Sequence, residues 1–257
     1  MIFTNIKNGR FYNEDCFDAM REIPDGVIDM ILCDLPYETV NWKSPHDWDK
    51  SLPMRALWDE YFRVVKPNGA IALFGNEPFS TLVKSSNLLN YKYDWIWRKS
   101  KKGGFANAKV KPLKSYETVM IFSEGTTSPG RLNNMPYYPQ DLIPLNKKVK
   151  NSGKSRLGMT VRENAVSEYI QEFTNYPSDV LDFDSVHDGF HPTQKPVALF
   201  EYLIKTYTNE GELVLDNTAG SGTTAIAAIN TNRKWVCIEK KKEYYDKAIN
   251  RIINHNV

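Results

Sequence analysis

The chain has 257 residues, room for one large α/β domain, and its 41% hydrophobic and 25% charged residues are ordinary for a globular protein. No apolar run approaches a membrane span. The start, MIFTNIKNGRFYNEDCF, lacks the basic, apolar and small-residue segments of a secretory signal, so a cytoplasmic location is expected. Net charge is only +2, yet 14 Lys/Arg stand against 3 acids between Arg98 and Arg162, a local +11 against −9 elsewhere, which marks one segment as built to meet a polyanion.

In chain order, VIDMILCD (Val27–Asp34) is a nearly unbroken apolar run and reads as a buried strand. MRALWDEYFRVV (Met54–Val65) has apolar residues near helical spacing and is stopped by KPNG; AIALFG (Ala70–Gly75) is the next strand, followed by an amphipathic stretch from Phe79 to Leu89. YDWIW (Tyr93–Trp97) and TVMIF (Thr118–Phe122) read as strands around a basic, glycine-containing connection. From Ser123 to about Gly189 the chain is rich in Gly, Pro, Asn and Ser with little periodicity, and is expected to be a structureless functional segment. The alternation then resumes with helix Val197–Thr208, strand Glu212–Asn217, a helix from about Thr223, strand Trp235–Glu239 and a closing helix through YYDKAINRI. Such alternation predicts a mostly parallel sheet flanked by helices. Cys16, Cys33 and Cys237 form no CxxC pair, and with the four scattered histidines they give no zinc-ligand spacing, so no metal is expected.

Two stretches carry chemistry. In VLDNTAGSGTTAIAA a strand ends at Asp216, a small-residue loop follows, and a helix opens near Gly222, the layout of a nucleotide-type site. Roughly 20 residues on, Glu239 ends the next strand, where an acid accepts hydrogen bonds from ribose hydroxyls. The acid beside this loop suits a cation better than a pyrophosphate, and the ammonium and sulfonium of S-adenosylmethionine (AdoMet) meet that preference. The second stretch, DLPY (Asp34–Tyr37), sets an acid, a proline and an aromatic where the first buried strand runs out, the place where open α/β sheets bind ligands.

Together, DLPY, HPTQKP (His191–Pro196) and LDNTAGSGTT resemble the amino-methyltransferases of DNA, the N6-adenine/N4-cytosine family, over nearly the whole chain. That family's catalytic tetrapeptide has the form (D/N/S)PP(Y/F/W), and its AdoMet loop is usually D-x-F-x-G-x-G. The motif order here, tetrapeptide first and AdoMet loop last, resembles the permuted β group. Within it, GNEPFS, YDWIWRKSKKGGFANAKVKPLKSYE and IEKKKEYYDKAINRI are similar to enzymes common in phages and prophages. The resemblance implies a Rossmann-like, AdoMet-dependent methyltransferase fold with a mostly parallel seven-stranded sheet, its motif order circularly permuted. It also implies a catalytic half over residues 1–122, a basic target-recognition insert over 123–189 and an AdoMet-binding half over 190–257. Leu35 departs from the first proline of the tetrapeptide, although Pro36 still keeps Leu35 extended. Asn217, Thr218 and Ala219 stand where many members have a Pro-Phe or similar pair, at the cost of an aromatic contact to AdoMet.

The resemblance further implies roles. An exocyclic amine is a poor nucleophile because its lone pair is delocalised into the ring. The Asp34 carboxylate and the Leu35 carbonyl are expected to accept its two N–H groups, with Pro36 shaping the turn and Tyr37 stacking on an extruded base. Asp15 and Cys16 match the place that contacts the AdoMet adenine, through the Asp15 carboxylate and the Cys16 amide; Thr193 and Lys195 are expected to hold the methionine carboxylate. Asp34, Asp216, Asn217, Thr218, Ala219, Gly220, Gly222, Thr223 and Glu239 complete the expected cofactor site. His191 is read as structural, and Trp42, His46 and Trp48 fall on a loop expected to move. Lys99, Lys101, Lys102, Lys109 and Lys111, and then Lys147, Lys148, Lys150, Lys154 and Arg156, are expected to face double-stranded DNA, phosphates for affinity and base edges for specificity. Dimers are frequent in the β group, so a homodimer and a restriction endonuclease are further partners to test for. An Asp at the first tetrapeptide position favours adenine N6, with cytosine N4 as the runner-up. Methylation of a protein amide or of an amine in RNA is disfavoured by motif order, an inactive DNA-binding fold by the presence of Asp34, Pro36, Tyr37, Asp216, Gly220, Gly222 and Glu239, and a nucleotide-dependent oxidoreductase by Asp216 and the basic insert.

Overall fold

The computed structural model describes residues 2–36, 52–150, 168–186 and 194–255. Two compact units separate: Met1–Tyr138 with Asp179–Val257, and Pro139–Ser178.

The larger unit is built on a nine-stranded sheet in the order β1-β2-β11-β10-β3-β4-β6-β5-β9. The strands are β1 (Ile2–Ile6), β2 (Gly9–Asn13), β3 (Ile28–Cys33), β4 (Val65–Gly75), β5 (Tyr91–Gly103), β6 (Lys114–Phe122), β9 (Val180–Phe183), β10 (Leu213–Asp216) and β11 (Lys234–Ile238). From β2 to β4 every neighbouring pair is parallel, whereas β6 runs antiparallel to both β4 and β5. Six of these strands, β3, β4, β5, β6, β10 and β11, are the ones expected from the sequence; β2 makes up the seven that the resemblance implied, and β1 and β9 extend the sheet beyond seven at its two edges. Neither edge strand is long or strongly patterned, so neither stands out from the sequence alone.

Side-chain alternation explains why β3 and β4 read as continuous apolar runs. Met30 and Leu32 of β3 and Ala70, Ala72 and Phe74 of β4 enter one core, while Ile31, Cys33, Ile71 and Leu73 enter the other. The first core is closed by α4 (Val197–Tyr207), α5 (Thr223–Asn230) and α6 (Lys242–Ile253); Phe74 stacks on Phe200 of α4 at 5.2 Å. The second is closed by α1 (Cys16–Met20), α2 (Met54–Val64) and α3 (Phe79–Ser86). On α2 the buried Leu57, Trp58, Tyr61 and Val64 lie at helical spacing, while Arg63 reaches out to Glu60, Asp25 and the carbonyls of Met20 and Ile23. Among the described residues no helix is long and apolar enough to cross a membrane.

The segment expected to be structureless holds three strands. Residues 123–138 and 179–186 go with the larger unit, where β9 pairs with β5 and Arg98 grips Asp182 through two bonds of 2.5 Å. The smaller unit is an antiparallel pair, β7 (Ile143–Lys150) and β8 (Glu168–Thr174). Its strands escape a periodicity reading because none of their side chains is fully buried, so no buried face imposes an apolar alternation.

Candidate active site

Four neighbouring parallel strands, β2, β11, β10 and β3, end on one side of the sheet, and each end carries residues singled out from the sequence. Asp15 and Cys16 follow β2, Glu239 follows β11, the loop from Asp216 to Gly222 follows β10, and Asp34, Leu35 and Pro36 follow β3. The ends are tied together. The Asn13 amide donates to the carbonyls of Glu239 (2.9 Å) and Lys240 (3.1 Å), and Lys240 pairs with Asp15 at 3.1 Å. The Thr218 hydroxyl donates to the Asp34 carbonyl at 3.1 Å, joining the tetrapeptide backbone directly to the glycine loop. Leu35 is 3% exposed, so its side chain anchors the tetrapeptide in the core. Tyr37, Trp42, His46, Trp48, His191, Thr193, Lys154 and Arg156 lie outside the described residues.

The glycine loop is held from within. Gly220 and Gly222 have φ of 48° and 73°, backbone that only glycine adopts at low cost, and a Cβ on Gly222 would come within 3.2 Å of Ala248 on α6. The amide of Thr218 donates to Asp216, that of Ala219 to the Ile238 carbonyl, that of Gly220 to Glu239 at 3.0 Å, and that of Gly222 to the Ala219 carbonyl. These amides are therefore spent inside the protein, whereas the sequence suggested free amides facing a ligand. A phosphate cradle needs such donors unspent. Asn217 offers something different. Its Oδ1 accepts from Tyr61 (2.7 Å) and Cys33 (2.8 Å), while its buried Nδ2 has no hydrogen-bond partner among the described residues. Burial pushes the Cys16 thiol up to about 11 and the Glu239 carboxyl above its ordinary value, the latter against the amides of Lys241 and Gly220.

Asp216 is turned inward. It is 3% exposed and accepts from the Thr218 amide and the Thr224 hydroxyl, so it fixes the loop's shape. Burial pushes its carboxyl up to about 7, against those two hydrogen bonds and helped by the charge of Asp34. The folded carboxyl thus holds its proton to higher pH than the unfolded one. This site's contribution to stability is fully present below the ordinary carboxylate range and lost as pH rises through about 7. Asp216→Asn, which keeps an acceptor for Thr218, is expected to be more stable than wild type at pH 8 by up to about 4 kcal/mol, the gap closing near pH 4. Urea unfolding at both pH values checks this, and identical gaps would contradict it.

Lys195 is differently engaged from what its motif suggests. Its side chain is 6% exposed, with the ammonium 2.6 Å from Asp34 and 3.1 Å from Glu117. Glu117, on β6 and also buried, takes Lys99 as well. Burial pulls Lys195 down, but the charges of Asp34 and Glu117 outweigh it and hold it above its ordinary value. Burial pushes Glu117 up, and the Lys195 and Lys99 ammoniums hold it below. An ammonium already facing two carboxylates is not short of a third, so the methionine carboxylate is not its natural partner here.

A DNA methylase family model matches residues 28–250 of the chain. The chain belongs to the DNA methylase family. Relatives of this DNA methylase include the DNA adenine methyltransferase YhdJ of Escherichia coli (strain K12), 28% identical over 97% of this chain and 86% of that protein. The type II methyltransferase M.HpaI of Haemophilus parainfluenzae is also 28% identical, over 95% and 74%. Among solved structures, the M1.HpyAVI–SAM complex matches with a TM-score of 0.61 at 22% identity, over 95% of this chain and 99% of that one. The cytosine-N4-specific PvuII DNA methyltransferase matches with a TM-score of 0.66 at 17% identity, over 98% and 89%. These likenesses show the methyltransferase fold.

In this DNA methylase the expected DNA-facing lysines divide. Lys101, Lys102, Lys109 and Lys111 are exposed around the β5–β6 connection, whereas Lys99 is spent on Glu117 and lies 5.2 Å from the Trp97 ring. On the smaller unit Lys147 pairs across with Gln171 and Lys148 with Ile170; cross-strand partners share a face, so Lys148 and Lys150 project opposite to Lys147. Sequence reasoning missed Glu117 and Tyr61. An acid inside SYETVMIF, a strand otherwise apolar at its end, was the available signal for Glu117. A tyrosine on the buried stripe of a helix carries no comparable mark.

Proposed function

We propose that this DNA methylase uses AdoMet to methylate the N6 amine of adenine in double-stranded DNA, on a base swung out of the helix. The observation that carries the reading is the junction of tetrapeptide and glycine loop, the Thr218 hydroxyl on the Asp34 carbonyl at 3.1 Å. It brings an amine-accepting carboxylate beside a nucleotide-type loop. The loop fits AdoMet better than a dinucleotide: its amides are spent, Asn217 Nδ2, without a partner among the described residues, offers a donor, and Glu239 keeps acceptor capacity beyond the amides of Gly220 and Lys241. Glu239 would take the ribose hydroxyls. Asp15 and the Cys16 amide would take the adenine. Asn217, Thr218, Ala219, Gly220, Gly222 and Thr223 would line the donor, with Thr193 beside its methionine end and Asp216 fixing the loop.

When bound, AdoMet supplies an electrophilic methyl group. The chain's own part is to make the amine nucleophilic. Asp34 and the Leu35 carbonyl accept one N–H each, draw the nitrogen toward sp3 geometry and stabilise the positive charge that grows on it. Tyr37 stacks on the base. The surplus proton leaves to solvent, so no strong base is needed. The exposed lysines of the β5–β6 connection and of the smaller unit supply phosphate contacts that position the duplex. Asp in the first tetrapeptide position favours adenine, since cytosine-N4 members more often begin with Ser.

Expression in a host free of DNA methylation, followed by sequencing that reports modified bases, tests the reading. N6-methyladenine at one recurring sequence is expected. N4-methylcytosine would move the function to that base, and unmodified DNA would overturn it.

A further inference from the structure

We infer that Glu117 is a positioning residue for the methyl-transfer step, a second carboxylate seat for Lys195 that leaves Asp34 able to receive the substrate amine. The inference rests on the proposed role of Asp34.

Four charges alternate in a line: Lys99, Glu117, Lys195, Asp34. The middle two are deeply buried, with side chains 8% and 6% exposed, while Asp34 is 24% exposed and Lys99 23%, so the line runs inside the protein and surfaces at both ends. From β10, Asp216 also faces Asp34, whose charge helps raise it. An ammonium 2.6 Å from Asp34 poses a problem for an amine-accepting carboxylate. The pair neutralises the Asp34 charge, and a neutral pair stabilises a growing cation poorly in a site of low dielectric. Glu117 resolves this. With its carboxylate 3.1 Å from the same ammonium, Lys195 can lean on Glu117 as the amine takes its place on Asp34. Asp34 then faces the growing cation while Glu117 faces Lys195 and Lys99, and no charge is left buried alone. Lys99, on the far oxygen of Glu117, keeps that carboxylate ionised for the purpose.

Glu117→Gln keeps the shape and removes the seat, pushing the Lys195 charge onto Asp34. In single-turnover transfer to duplex DNA the plateau rate is expected to fall at least tenfold, with equilibrium affinities for AdoMet and DNA within threefold of wild type. A loss confined to the plateau rate, with both affinities kept, is a split that a merely structural defect would not give. Glu117→Asp, which keeps the charge one methylene short, is expected to recover part of the plateau. Should the Gln variant not fold, the Asp variant carries the test, with a smaller loss and the same split between rate and affinity. A wild-type plateau in either folded variant, or a loss explained wholly by weaker binding, would overturn the inference. Asp34→Ala run alongside separates the two levels: if it transfers normally the reading of the site fails, and if it is inactive while Glu117→Gln is normal only this inference fails.

Discussion

Lys195→Met is expected to cost the fold about 3 kcal/mol at neutral pH, since removing one partner from a buried ion network leaves charge uncompensated. The substitution keeps most of the apolar stem and deletes the ammonium, which lies 5.4 Å from the Phe74 ring. What remains is two carboxylates, Asp34 and Glu117, that formerly shared a cation. Lys99 still serves Glu117, which keeps the loss below that of a wholly isolated charge. The pH dependence has a definite sign. In wild type the Glu117 carboxyl is held below its ordinary value, so its contribution is present above that value and lost as pH falls through the lowered one. Without Lys195, burial gains the upper hand and Glu117 rises. The variant then takes up a proton on folding and recovers stability as pH falls toward 4. Urea unfolding should show a gap that is wide at pH 8 and narrow at pH 4.5; a gap constant across that range would show that the lysine acts through packing alone.

The central architecture was legible because physics writes it locally. Strands buried on both faces must be apolar throughout, so β3 and β4 announce themselves, and the glycine loop shows because only glycine accepts the backbone at Gly220 and Gly222. The tetrapeptide followed from position, an acid where a buried strand ends. The β7–β8 pair was not legible, because strands exposed on both faces need no apolar alternation and their pairing joins residues far apart in sequence. The hairpin β1–β2 had a faint signal in KNG, where Lys7 takes a φ of 51°. The charge line through Glu117 and Lys195 could not be read at all. It joins the end of β3, β5, β6 and the segment before α4, four elements whose adjacency exists only once the sheet has formed.

Asp34→Ala is expected to lower methyl transfer by about a thousandfold, the scale of losing a preorganised partner of transition-state charge. The loss falls on the chemical step. The Thr218 hydroxyl bonds the backbone carbonyl of residue 34, which alanine retains, so the link between tetrapeptide and glycine loop survives. Glu117 remains to hold Lys195, so no buried ammonium is abandoned. The Leu35 side chain keeps its place in the core. The glycine loop, fixed by Asp216, Ile238, Glu239 and Arg251, does not depend on the Asp34 side chain for its shape. The measurement that bears most directly on the proposed chemistry sets two quantities side by side for wild type and Asp34→Ala: equilibrium affinity for AdoMet, and the single-turnover rate of methyl transfer to duplex DNA. Matching affinities with the rate all but lost is the predicted outcome. Transfer by Asp34→Ala at the wild-type rate would contradict it.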